Sequence, residues 1–119
     1  MLKLNHKELD VWQLSVAFTT KLYNLTEKFP NSELYGLTSQ LRRAAVSVSS
    51  NIAEGSARKS KAERIRFFEM ARSSIVEIDT QLEISIRLNL VKRIDLGELD
   101  IDINRIFAML SKLMKSTIK

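Results

Sequence analysis

YGLTSQLRRAAVSVSSNIAEGSARKSKAERIRFFEMARSSIVEIDTQL, residues 35–82, is the stretch whose reading decides the fold of this chain. It reads as two helices joined by a basic turn. The apolar stripe of the first, Leu34, Leu37, Leu41, Ala44, Val48 and Ile52, is flanked by Ala45, Ser47, Ser49, Ser50 and Ala53. Such a helix has too little apolar bulk to fold on oil-drop burial alone. Its small side chains point to close helix–helix approach, to serines bonded back to helical carbonyls, or to a surface that meets a partner. In the second helix Ile65, Phe68, Ala71, Ile75, Ile78, Leu82 and Ser85 recur at spacings of three and four and so share one face.

The same period extends outward. Val11, Leu14, Phe18, Leu22, Leu25 and Phe29 form a stripe that Pro30 terminates, because the residue before proline is pushed out of the helical region. Leu96, Leu99, Ile103, Ile106, Leu110 and Leu113 form the cleanest heptad stripe, with Ile101, Phe107, Met109 and Met114 outside it. Helices are expected over about 8–28, 33–57, 61–88 and 96–117. Asn31 and Ser32 are candidate caps of the second. Ser60 with Glu63, and Asp95 with Glu98, have capping-box spacing at the starts of the third and fourth. Glu83 and Arg87 are spaced for an ion pair one turn apart. The connections are short, which favours an all-α, antiparallel up-down-up-down four-helix bundle in a single domain.

At 119 residues the chain fits one domain. Three Gly and one Pro favour long uninterrupted elements, and the absence of Cys excludes a disulfide framework and a thiolate nucleophile. Neither a signal-peptide core nor an 18-residue apolar run is present, so a cytoplasmic protein without membrane contact is expected. The net charge is +5, from 19 Lys and Arg against 14 Asp and Glu. That is compatible with a polyanionic partner and equally with an ordinary lysine-rich surface.

Little in the chain speaks for catalysis. His6 is the only histidine and sits in the N-terminal arm. Ser47, Ser49 and Ser50 therefore lack a base, and no phosphate-binding glycine loop occurs. Bundle di-metal sites use Glu-x-x-His pairs. Glu54, Glu77 and Asp79 have no such histidine, so no metal, no cofactor and no enzymatic activity are expected.

The cations carry more. Arg42, Arg58, Lys59, Lys61, Arg64, Arg66 and Arg72 follow one another through the two central helices, and Lys92 and Arg93 would help if they lie nearby. These are the candidate phosphate contacts, whose affinity comes largely from counterion release. No base-reading motif accompanies them, so such binding would read shape or phosphate. The competing reading is structural. In it Arg43 is partly buried and paired with Glu54, Glu77 or another carboxylate, in a polar network with Asn51 and Gln81. Glu54 is also one turn from Arg58.

The segments DVWQLS, FPNSELYGLTSQLRRAAVSVSSNIAEGSARKS and EIDTQL resemble the bacterial four-helix-bundle family associated with 23S ribosomal RNA intervening sequences. The resemblance runs from about Leu9 through Leu90, with a looser last helix. Tyr35, Gly36, Leu37, Gln40, Arg42, Arg43, Ala44, Ala45, Ser50, Asn51, Ile52, Ala53, Glu54, Gly55, Arg58, Ser60, Glu63, Glu77 and Gln81 match its motif. Val48-Ser49 departs from it, where relatives commonly have isoleucine and proline, and the loss of that proline predicts a straighter helix. The family implies an antiparallel four-helix subunit assembled as a barrel-like homopentamer. A related branch, the accessory proteins of diversity-generating retroelements, uses a basic pentamer to bind reverse transcriptase and nucleic acid. The leading expectation is a non-enzymatic, homo-oligomeric module that binds structured RNA or DNA through basic surface residues. The alternative is a protein-interaction scaffold, for example an accessory subunit to a reverse transcriptase or other nucleic-acid enzyme.

Overall fold

The apolar period becomes four helices in the computed structural model, which describes residues 1–119. They are α1 (Asp10–Thr26), α2 (Ser39–Ser56), α3 (Lys61–Arg87) and α4 (Gly97–Ile118), with short 3-10 turns at Asn5–Glu8, Asn31–Glu33 and Arg93–Leu96. Each helix packs against two others: α2 touches α1 and α3, and α4 touches α3 and α1. Cross-helix pairs fix the directions. Ser15 meets Ser49 at 2.8 Å while Arg42 reaches back to Thr26 at 2.9 Å, so α1 and α2 run antiparallel. Ser47 meets Ser74 at 3.0 Å and Gln81 donates to Gln40 at 3.2 Å, which orients α2 against α3. Lys61 at the start of α3 donates to the Lys119 carbonyl at the end of the chain. The fold is an antiparallel four-helix bundle about 44 Å long.

The stripes become the core. Phe18, Leu22, Leu41, Val48, Ile52, Phe68, Ile75, Ile78, Ile106 and Leu110 are buried almost completely, each worth on the order of 1.5–3 kcal/mol. Met114 is buried at the end of the α4 seam, where the heptad reading placed Leu113. A straight helix of 3.6 residues per turn drifts away from a 3.5-residue period, so the last seam position moves by one residue. Thr26 and Ser85, both buried, satisfy their hydroxyls on carbonyls one turn back. On the α1–α4 side Lys21 donates to nearly buried Asp102 at 2.9 Å. That hydrogen bond holds the Lys21 ammonium above its ordinary pKa of 10.5.

Several local expectations fail for identifiable reasons. The second helix does not run unbroken from residue 33. Leu34–Thr38 forms a wide π-type turn, Gly36 takes a non-helical conformation (φ −110, ψ −116), and regular α2 begins at Ser39. Asn31 and Ser32 do not cap it. The Glu33 carboxylate instead caps the π-type turn, accepting from the Leu37 amide at 3.2 Å, and α2 itself starts with no side-chain cap. Ser60 caps α3 by accepting from the Glu63 amide, whereas Asp95 falls inside a 3-10 turn and α4 starts with no side-chain cap. Glu83 turns from Arg87 to Arg93, whose guanidinium donates to both carboxylate oxygens at 2.9 and 3.2 Å. One guanidinium nitrogen thus spans both carboxylate oxygens in a charge-assisted contact. Asn89 (φ 60) ends α3, with the Leu90 amide on the Ser85 carbonyl and the Asn89 amide on that of Ile86.

The close approach of α2 and α3 depends on Gly55. A Cβ there would lie 2.7 Å from Phe68 Cε1 and 3.1 Å from Phe67 Cβ, and the Phe68 ring is fully buried with no room to yield. Gly55→Val is therefore expected to cost about 1–3 kcal/mol through overpacking, read as a lowered urea-unfolding midpoint. An unchanged or higher midpoint would show that the two helices are not held at this distance by Gly55.

Candidate nucleic-acid interface

The sequence-predicted cations do not form one patch. Arg42 is half-buried between α1 and α2: its Nε donates to Thr26, one Nη donates to the Tyr23 carbonyl and to Glu27, and the guanidinium lies 4.5 Å from the Tyr23 ring centroid. Arg72 donates to Ser111 at 3.1 Å and covers the Phe107 ring, tying α3 to α4. Lys92 and Arg93 lie beyond the far end of α3. That helix of 27 residues is about 40 Å long, so they cannot act together with Arg58 and Lys59. Arg93 is further occupied by Glu83.

What remains sits at the end of the bundle that holds the α2–α3 turn. Arg58 donates to Glu54 at 2.8 Å and stacks over Phe67 at 4.9 Å. Lys59, Lys61 and Arg66 are exposed, and Arg64 is half-buried with no hydrogen-bond partner for its Nε. Antiparallel packing brings other elements to the same end. The 3-10 arm packs on α1 and α2, carrying Lys7 with Lys3 just before it. The last turns of α4 bring Lys112, Lys115 and Lys119. Together with Arg72, this half of the bundle presents eleven cationic side chains, opposed only by Glu8, Asp10, Glu54, Glu63 and Glu69. The excess there is six. The whole chain carries +5, so the other half is left at −1.

The three lysines of α4 follow from ordinary dipole complementation at a helix C-terminus. Only the antiparallel topology sets them beside the basic turn. In sequence they are separated from it by more than fifty residues.

The expected polar network also divides. Asn51 donates to the carbonyl and hydroxyl of Ser47, itself bonded to Ser74. Gln81 donates to Gln40 and to Glu77 at 3.3 Å. Glu54 belongs to Arg58. Arg43 joins neither group. It is exposed and makes no side-chain hydrogen bond or ion pair, which corrects the half-buried pairing expected for it. The helical period explains this, since Ala44 and Ala45 take the buried positions of that turn and Arg43 projects outward. At the departure from the family motif, α2 continues unbroken through Val48-Ser49, and Ser49 supplies the hydroxyl that bonds Ser15.

His6 packs edge-on against Trp12 at 5.2 Å, and no group of three or more His, Cys, Asp or Glu side chains converges as a metal set. No helix is long and apolar enough to cross a membrane.

Comparison with known proteins agrees with the bundle. The family described as 23S rRNA-intervening sequence protein matches residues 7–112, and the chain belongs to it. A solved structure from Bacteroides thetaiotaomicron, a protein of unknown function from the S23 ribosomal protein family, superposes with a TM-score of 0.78. It shares 22% identity, over 88% of this chain and 98% of that one, a likeness of fold. No curated protein matches the chain.

Arg42 is expected to hold the fold, so Arg42→Ala should lower stability by about 1–3 kcal/mol through lost charge-assisted hydrogen bonds. The check is a paired measurement of the unfolding midpoint and of nucleic-acid affinity. An unchanged midpoint with weakened binding would return Arg42 to the interface.

Proposed function

We propose that this member of the 23S rRNA-intervening sequence protein family is a non-enzymatic, homo-oligomeric bundle that binds structured RNA or DNA phosphates. Its binding surface is the end formed by the α2–α3 turn, the N-terminal arm and the last turns of α4. The observation that carries the reading is the concentration of the chain's positive excess at that one end. Clustered cations release condensed counterions when they meet a phosphate backbone, which supplies affinity without base recognition. Arg58, stacked on Phe67, and the exposed Lys59, Lys61 and Arg66 are the side chains best placed to do so.

The reading includes homo-oligomerisation, as the pentamer that the family resemblance implies; the outer face of α2 and α3 supports contact between subunits. Arg43, Ser50, Glu54 and Glu77 face solvent there beside exposed Val46 and Met70, and the buried Oε1 of Gln81 has no partner within the subunit. Polar groups in such positions find partners readily across a subunit interface.

Two measurements test these readings. Binding to folded RNA and to duplex DNA across a salt series should give a steep line of log affinity against log salt. Replacing Arg58, Lys59 and Lys61 together by Gln should reduce its slope by about two to three. The same change at Lys92 and Arg93 should leave the slope as it was. Wild-type affinity and slope in the triple variant would remove the proposal. For assembly, Arg43→Ala should retain the helical circular-dichroism spectrum while the mass by light scattering falls below that of the pentamer. An unchanged mass would clear Arg43 of any role between subunits.

A further inference from the structure

The half of the bundle away from the basic end carries a groove of the opposite character. Between α3 and α4 lies a cavity of about 150 Å3 whose floor is Leu82, Ile86, Leu96 and Ile103 and whose rim is Asp79, Glu83, Asp100 and Arg93. Asp79 and Ile103 also line the next hollow along the same helix pair, which adds Ile75, Val76, Asn104 and Phe107. The two hollows form one trough. Arg93 is neutralised by Glu83, which leaves Asp79 and Asp100 as unpaired carboxylates on opposite walls. Val76, 52% exposed, continues the apolar floor into solvent, and Phe107 ends it beneath the Arg72 guanidinium.

The trough is open at Gly97, where an added Cβ would meet nothing within 4 Å. Its α3 wall runs from Ile75 to Ile86, about 17 Å at 1.5 Å per residue, which is the length of about three helical turns.

We infer that the α3–α4 groove docks a cationic amphipathic helical segment of a partner protein. Its apolar face would lie on Val76, Leu82, Ile86 and Ile103, and its Lys or Arg side chains would meet Asp79 and Asp100. Charge complementarity selects this occupant. An apolar floor walled by free carboxylates fits the face of a basic amphipathic helix, and the same carboxylates repel phosphates. The acidic part of the groove, at Asp79, Glu83 and Asp100, lies on the half of the molecule that lacks the positive excess, and the groove meets the basic half only where Arg72 covers Phe107.

The test uses the full chain and a fluorescent leucine–lysine amphipathic peptide, with its leucine–glutamate counterpart as the control. Amide shifts on titration should cluster in residues 79–86 and 97–107, and only the lysine peptide should bind. Gly97→Leu, which fills open space at a helical position, should weaken binding at least about tenfold without lowering the melting temperature. Asp79→Asn combined with Asp100→Asn should weaken it as well and flatten its salt dependence, which keeps the test intact if the glycine variant fails to fold. Shifts clustered elsewhere, equal binding of the glutamate peptide, or wild-type affinity in both variants would overturn the inference. A fall in the protein's own mass in Gly97→Leu, with no peptide binding by the wild type, would mean that a second copy occupies the groove.

Discussion

The close contact of α2 with α3 is the constraint on which the rest of the bundle depends. Gly55 lies against the Phe68 ring, and Ala44 is buried flush with the helix surface. Ser47 meets Ser74 and Gln40 meets Gln81 along the same line. Small residues let the two backbones approach, and at that distance serine and glutamine side chains bridge directly. Larger side chains would force the helices apart and strand those hydroxyls and amides without partners, at the cost of an unmade buried hydrogen bond. The motif thereby couples packing density to hydrogen bonding, and it sets the register in which α1 and α4 join.

That register decides the electrostatics. Antiparallel α3 and α4 bring the end of α4 back to the start of α3, so lysines that complement one helix dipole lie beside the basic turn that begins another. The acidic first turns of α4, with Glu98, Asp100 and Asp102, go to the other end. A chain of modest net charge becomes a strongly polarised particle. Three arginines, Arg42, Arg58 and Arg72, lie over aromatic rings. Arg42 and Arg72 also bridge helices, so their stacking and hydrogen bonds serve the fold, while Arg58 remains at the rim of the basic end. Identical residue types within one motif thus have different tasks, separated by where the helical period points them.

Much of the fold was legible before any coordinates. The core positions of α3, from Phe68 through Ser85, follow one period because burial against neighbours imposes it, though Ile65 at the head of the expected stripe is only half-buried and Gln81 is buried beside Leu82. The Ser60 cap was readable for the same local reason. The Asp95 cap was not, since the tight turn before α4 takes up the residue that would have served. Gly36 shows a similar limit: glycine permits the break in the helix, but permission is visible in a sequence and use is not. Glu83 pairs with Arg93 instead of Arg87 because a turn of the chain brings the Arg93 guanidinium within reach, and no spacing rule contains that distance.

The candidate site was less legible than the fold. By itself the sequence determined which residues are helical, which faces are apolar, and that the chain is basic, since these are properties of local period and composition. Tertiary structure alone decided which cations share a surface. It sent Lys92 and Arg93 to the wrong end, drew Arg42 and Arg72 into the fold, turned Arg43 out to solvent, and brought in Lys112, Lys115 and Lys119. Electrostatic neighbourhood is a matter of distance in space, and in a bundle the residues closest along the axis are those whose helices run in opposite directions.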